Sequence, residues 1–439
     1  MLWKPSSLAQ FLLINACLLI LAQTSMATPS ITSVSPGAKH GLTVTITGAG
    51  FGSKTTAAPL IYDDFDDGQD GSNLSWWSLD GNLGIYPKYS TARSHNGNQC
   101  ARSNFESQYN CTAYKRGYDL DEVYFSYWIY WEKVSGDDSR NMKLGRVTSD
   151  TASYKDGTPS LGYTGFYTTS SIWYAFNGNS DGPDNDVQVW GSFVTGGSWH
   201  RIEMYGKVST LNQNDGARGW WLDLDEVSYD DTFPTYTSAT ERDSYRCFLL
   251  PFYVAHDAGG PHNIYSDDVY IDNTRSRVEV GNASTWADCT TREIQPATFW
   301  ASDGDSITFT ANVSSSFSAE YEVYLYVVTA GGSVSPGYAI TVGESGGAVP
   351  PTAAPGQPSV VRDGNTATLT TTNSVPAAAR YQFEVGHDAR LQQIAVTEYP
   401  DIEAVLTIDA AKALISKVQA VDSDGNTQST SDTTHTGGS

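Results

Sequence analysis

Val123-Tyr124-Phe125-Ser126-Tyr127-Trp128-Ile129-Tyr130-Trp131 decides the fold. A run this rich in aromatic and β-branched side chains suits a pleated strand, and its pattern has a period of two. Ile202 to Val208, Val269 to Val280 and Tyr321 to Val328 read as strands in the same way, and the Gly- and Asp-rich piece Asn177 to Asp186 reads as a turn. No long stretch carries a 3.6-residue period; Asp409 to Ser416 holds one or two helical turns at most. Only 17% of residues are charged, whereas there are 26 Tyr, 12 Trp and 40 Gly, a composition of strands and turns. The expected class is all-β.

The ends and the charge bound what the chain can be. Lys4 followed by the apolar run Phe11 to Ala22 reads as a secretory signal, with Ser25-Met26-Ala27 as the cleavage site and residues 1–27 removed. The rival is a lipoprotein cut before Cys17, but Leu18-Leu19-Ile20-Leu21 continues the apolar run past it. No later segment is apolar enough to cross a membrane, so a secreted or extracellular monomer is expected, in a periplasm or at a cell surface. The 439 residues suggest two or three domains at about 150 residues each. The net charge of −23 becomes −24 once Lys4 is lost. Such acidity disfavours nucleic acid and anionic membranes as partners. It also weighs against a highly anionic substrate unless basic residues gather in one cleft. Cys100, Cys111, Cys247 and Cys289 remain in the mature chain. An even number in an exported protein suggests two disulfides, here Cys100–Cys111 and Cys247–Cys289 out of three possible pairings.

Pro29 to Gly52 (PSITSVSPGAKHGLTVTITGAGFG) resembles the opening strands of the IPT/TIG immunoglobulin-like domain, and Glu293 to Gly343 resembles its closing strands. The resemblance implies one discontinuous β-sandwich, 28–60 with 288–344, into which 61–287 is inserted. A Gly/Pro/Ala linker (345–358) follows. Residues 359–432 resemble a fibronectin type III module, chiefly through Lys417-Val418-Gln419-Ala420-Val421-Asp422, although the usual penultimate-strand Tyr is absent. The Thr/Ser/Gly tail 433–439 reads as disordered. Two small immunoglobulin-like sandwiches therefore flank the insertion.

The inserted segment opens with Asp63-Asp64-Phe65-Asp66-Asp67-Gly68 and closes with Tyr265-Ser266-Asp267-Asp268-Val269-Tyr270. That pairing resembles the concanavalin-like jelly roll of carbohydrate-binding modules, polysaccharide lyases and laminarinase-type hydrolases. The resemblance implies neighbouring first and last strands and a structural calcium ion held by Asp64, Asp66 and Asp268, since clustered carboxylates repel one another without a cation. The order Lys143-Leu144-Gly145-Arg146, then tyrosine-rich strands, then the Trp199-to-Val208 and Gly219-to-Asp223 hairpin, resembles alginate-lyase-type and glucuronan-lyase-type families.

A lyase of that kind cleaves a uronic-acid polysaccharide by β-elimination. One group neutralises the substrate carboxylate, a base takes the C5 proton, and an acid protonates the leaving oxygen. Lys143 or Arg146 suits the first task, and His200 or a tyrosine such as Tyr163, Tyr167, Tyr174 or Tyr205 the others. On strict alternation Lys143 shares a face with Gly145 and Val147, and Arg146 with Met142 and Leu144, so only one of the two cations enters a cleft. Arg201, Glu203, Tyr205 and Lys207 form one polar strand face, expected to line the cleft with Trp173 and Tyr174. Hydrolysis ranks lower: no Glu-x-Asp-x-x-Glu strand is present, and Leu222-Asp223-Leu224-Asp225-Glu226 reads as a hairpin turn. The other class is a protein that binds an extracellular polysaccharide without cleaving it, stacking sugars on Trp76, Trp77, Trp128, Trp131, Trp173, Trp190, Trp220 or Trp221. Adhesion to another surface protein is the third possibility. His256 and His262 lie in a loop that can reach the end of a cleft.

Overall fold

The aromatic strand is the spine of the larger body. In this computed structural model, residues 28–435 are described apart from 36–40, 82–83, 106–109, 134–140, 150–159, 167–169, 177–185, 192–195, 237–243, 252, 256–261, 315–316, 318–321, 342–358 and the short connections after 363. Its back sheet runs β15 (Asp225–Phe233), β14 (Gly216–Leu222), β13 (Trp199–Lys207), β8 (Glu122–Lys133), β18 (His262–Asp272), β6 (Cys100–Asn104) and β5 (Lys88–Ser90), with β3 (Ile61–Asp63) also on β18. The front sheet runs β12 (Asp186–Gly191), β11 (Ser170–Phe176), β10 (Ser160–Phe166), β9 (Asn141–Thr148), β16 (Tyr245–Leu249), β7 (Cys111–Leu120) and β4 (Ser78–Gly81), with β17 (Tyr253–Ala255) also on β9. Alternation turns Val123, Phe125, Tyr127, Ile129 and Trp131 of β8 into the space between the sheets. There they meet Met142, Leu144, Val147 and Phe248 of the front sheet in one buried core. The result is an all-β jelly-roll sandwich. Among the described residues there is no α-helix, a 3-10 turn covers Trp286–Asp288, and no helix is long and apolar enough to cross a membrane.

A second, smaller pair of sheets joins the two flanks of the chain. One runs β1 (Ser30–Ser35), β2 (Thr43–Ala49), β22 (Ser306–Thr310) and β21 (Ala297–Trp300). The other runs β20 (Arg292–Gln295), β19 (Arg277–Gly281), β23 (Glu322–Val328) and β24 (Tyr338–Thr341). Val44 and Ile46 share a core with Val278, Val280, Ile307, Phe309, Leu325 and Val327. The stretch Val269 to Val280 is therefore not one strand: β18 ends at Asp272 and β19 begins at Arg277, in a different sheet. Alternation along β19 sends Val278 and Val280 into the small core and Arg277 and Glu279 outward, against the back sheet of the jelly roll.

Beyond the linker, which with residues 1–27 lies outside the described residues, Ser359–Asp363, Thr366–Thr370 and Glu403–Thr407 form one antiparallel sheet. Arg380–Gly386, Gln393–Glu398, Leu414–Val421, Thr427–Ser429 and Thr433–His435 form another. The expected helical turns give way to strand at Leu414–Ser416, and Thr433–His435 of the expected disordered tail pairs with that strand.

The disulfide expectation is not met: Cys100, Cys111, Cys247 and Cys289 are all free and buried. Cys100 opens a back-sheet strand and Cys111 a front-sheet strand. Cys247 packs with Leu249 on the outside of the front sheet, whereas Cys289 packs against Tyr326 of the small sandwich. Burial pushes the Cys111 thiol up to about 11, so at neutral pH it stays protonated and inert.

Candidate functional site

The outward face of the front sheet gathers the basic residues that composition alone made scarce. A bulge in β9 is responsible. Along β9 and β10, Gly145 pairs with Tyr163 and Lys143 with Thr164, so two steps on one strand match one step on the other. Gly145 lies where a Cβ would collide with the Tyr127 hydroxyl, and that hydroxyl donates to the Leu144 carbonyl at 2.7 Å. Because of the bulge, Lys143 and Arg146 fall on one face. Lys143 pairs with Tyr253 and stands 5.3 Å from its ring centre, while Arg146 pairs with Leu249. Leu249 and Tyr253 belong to one cluster, with Cys247 and Tyr114, on the side away from the main core. Strict alternation, which allowed only one cation there, is corrected by the bulge.

Register extends this face. Arg116 pairs with Cys247 and Tyr114 with Leu249, which brings a third cation, exposed, to the same side. Leu249 and Cys247 form an apolar floor, Tyr114 and Tyr253 are half-buried on it, and Arg146, only 9% exposed, reaches the Ser160 hydroxyl at 3.4 Å. Tyr174 sits opposite Gly162, itself opposite Arg146, and Trp173 opposite Tyr163. The side chains of Tyr163, Tyr167, Trp173, Tyr174, Trp190, His256 and His262 lie outside the described residues. Tyr114, Arg116 and Tyr253 are absent from the sequence expectations; the one signal for them is a period-two place beside strands whose pairing only the fold reveals.

The other expected residues lie elsewhere. Arg201, Glu203, Tyr205 and Lys207 do share one strand face, with Ile202 and Met204 in the core behind them. That face belongs to the back sheet, and the small sandwich covers it. Arg201, 1% exposed, donates to Glu279 at 2.9 and 3.2 Å, to the Arg292 carbonyl at 2.8 Å, and to Ser126 and Tyr124 at 3.2 Å each. Glu203 accepts from Tyr124 and faces Arg201 and Arg277. Burial would raise the Glu279 carboxyl, but Arg201, Arg277 and Arg292 outweigh it and hold the group well below the usual range. Arg201 and Glu203 therefore cement two domains and do not line a front-sheet cleft. Tyr205 packs against Tyr229 beneath the Arg275 guanidinium. Burial, and then the nearby Glu122, raise its phenol well above the ordinary value, which makes it a poor base. His200, near the start of β13, bonds Asp223 of the β14–β15 turn at 2.6 Å and Ser198 at 2.9 Å, and Lys207 is exposed at the other end of the strand. None of these joins Lys143.

Asp64, Asp66 and Asp268 lie where the first and last jelly-roll strands meet the small sandwich. Asp66 accepts the Asn98 and Gln99 amides at 2.8 and 3.0 Å. Asp268, at φ 48°, accepts from Asn312 at 2.9 Å and bonds His95 at 2.8 Å. Burial, and then Asp268 beside it, lift the Asp64 carboxyl to about 7. The fit to calcium is poor, because Asp66 and Asp268 are spent on protein partners. Among the described residues no group of three or more His, Cys, Asp or Glu is arranged to hold an ion.

Of the tryptophans offered for sugar stacking, Trp77, Trp131 and Trp220 are core residues. Trp128 stacks on His95 at 3.7 Å, and Trp221 remains half-buried at the domain seam. The Leu222-to-Glu226 stretch is the expected hairpin turn, with Asp223 and Leu224 at φ 52° and 76°.

No protein-family model and no curated protein sequence matches the chain. Among solved structures it resembles an endo-β-1,4-glucuronan lyase from the fungus Trichoderma reesei, at 15% identity and TM-score 0.38, over 49% of this chain and 95% of that one. A marine alginate lyase from Aplysia kurodai matches at 14% identity and TM-score 0.33, over 42% and 86% of the two chains. A β-glucanase from Bacillus licheniformis matches at 12% identity and TM-score 0.31, over 50% and 99%.

Proposed function

We propose that the outward face of the front sheet binds an acidic extracellular polysaccharide and cleaves it by β-elimination. One observation carries the reading: in a chain of net charge −23, a single bulge brings Lys143 and Arg146 to one face beside two tyrosines, with Arg116 in line. A cation pair of this kind suits a uronate carboxylate, whose neutralisation makes the C5 proton removable. Tyr253, with its ring beside the Lys143 ammonium, is the group best placed to carry that proton. In the step, the base takes the proton from C5, the freed electron pair forms the C4–C5 double bond, and the C4–O bond breaks. The leaving oxygen takes a proton from an acid on the same face.

Incubating the protein with a panel of uronate polymers and following the ultraviolet absorbance of the new double bond tests this. Absorbance that rises with the wild type and falls away in Tyr253→Phe supports elimination. Binding without any rise favours the non-catalytic module, and failure to bind any of the polymers sinks both.

A further inference from the structure

The domain seam holds a cavity of about 650 Å³ where the β14–β15 turn meets the small sandwich. Its lining includes the buried Glu203, Arg277 and Arg292, and the exposed Asp225, Glu226 and Asp288. Two atoms of that lining make no hydrogen bond, Glu203 Oε1 and Arg292 Nε, although Glu203 is 3% and Arg292 6% exposed. Arg201 Nε stands 3.3 Å from the first and Glu279 Oε2 3.4 Å from the second, neither in hydrogen-bond geometry. Both atoms lie beneath the cavity wall and keep those ion-pair neighbours, so the groups open to a ligand are the exposed carboxylates of Asp225 and Glu226. Sugar hydroxyls suit them, because each can donate to a carboxylate oxygen.

Charge and shape narrow the ligand. Five carboxylates (Glu203, Asp223, Asp225, Glu226 and Asp288) line the cavity against three guanidinium groups (Arg275, Arg277 and Arg292). That surplus repels a polyanion, the opposite of the front-sheet face. Trp221 in the wall is half-buried and offers a ring to the apolar face of a sugar. The volume falls inside the usual range of about 300–1,000 Å³ for ligand pockets. The geometry points to a second binding site, for a neutral oligosaccharide, at the seam between the jelly roll and the small sandwich. It stands apart from the elimination reading and survives that reading's failure.

Isothermal titration of the full chain with cellohexaose, laminarihexaose and a hexauronate tests it. A neutral hexamer binds, and the hexauronate does not compete for its site. Trp221→Ala weakens that binding at least about tenfold. Glu226→Ala, exposed and outside the buried network, weakens it roughly threefold. Lys143→Ala leaves it unchanged. Absence of heat with both neutral hexamers overturns the proposal, as does affinity that is indifferent to both seam variants or lost in Lys143→Ala.

Discussion

Replacing Glu279 by Gln removes the charge around which the seam is built. Glu279 is wholly buried and meets Arg201 at 2.9 Å, Arg277 at 2.5 Å and Arg292 at 3.4 Å. Glu203 would then be the one carboxylate facing Arg201 and Arg277 in this network. Removing one partner of a buried ion pair costs about 3–5 kcal/mol, because the charges left behind stay desolvated. For a body of this size each kcal/mol moves the melting temperature by about 2–4 °C, so calorimetry should show a fall on the order of 10 °C. The acid limb provides a second readout. A carboxyl whose folded pKa is depressed contributes stability above its unfolded value, about 4.3, and loses it as pH falls further. Wild-type stability should therefore drop below about pH 4 with a slope that Glu279→Gln lacks. A melting temperature within about 2 °C of wild type, with an unchanged acid limb, would refute the idea that this network joins the domains.

Other outcomes follow from the same contacts. The Glu293 carboxyl is lifted to about 7, chiefly by burial, against His95 and two bonds from Ser314. Its contribution is fully present below the unfolded pKa and disappears as pH rises through 7, a loss of about 3 kcal/mol from pH 4 upward. Denaturant titrations should show that slope in wild type and a flatter one in Glu293→Gln. Leu224 occupies the left-handed region at φ 76°, which costs roughly 1–2 kcal/mol, so Leu224→Gly should raise the melting temperature by a few degrees; a lower one contradicts the assigned turn. With Cys100, Cys111, Cys247 and Cys289 free and buried, a thiol reagent should label all four after denaturation without reductant, and none rapidly before it. Labelling that needs prior reduction would restore the disulfides.

Legibility in the sequence tracked the range of the interactions. Phe125, Tyr127 and Ile202 announce their burial because period two is local and fixes a face, and the tight turn at Asp223-Leu224 is local as well. Which neighbour covers a face is not local. Arg201 meets Glu279 across 78 residues, so the alternation that marked Arg201 and Glu203 as polar said nothing of the small sandwich lying over them. The bulge at Gly145 was hidden for a related reason. A glycine in a strand admits a bulge or a close approach, and only the packing of Tyr127 against it settles which. The cysteines misled because even counts mark a compartment, whereas pairing needs two Cα atoms within about 7 Å and side chains aimed at each other, which only the fold decides.

The claim on which most depends is that Lys143 and Arg146 work together on one face. Steady-state cleavage of a uronate polymer by Lys143→Ala, Arg146→Ala and the double variant, with melting temperatures measured alongside, tests it directly. Each single change should lower kcat/KM about a hundredfold without moving the melting temperature of Lys143→Ala, and the double variant should fall short of the product of the two losses. Full activity in Lys143→Ala, or strictly multiplicative losses, would contradict a shared grip on one carboxylate.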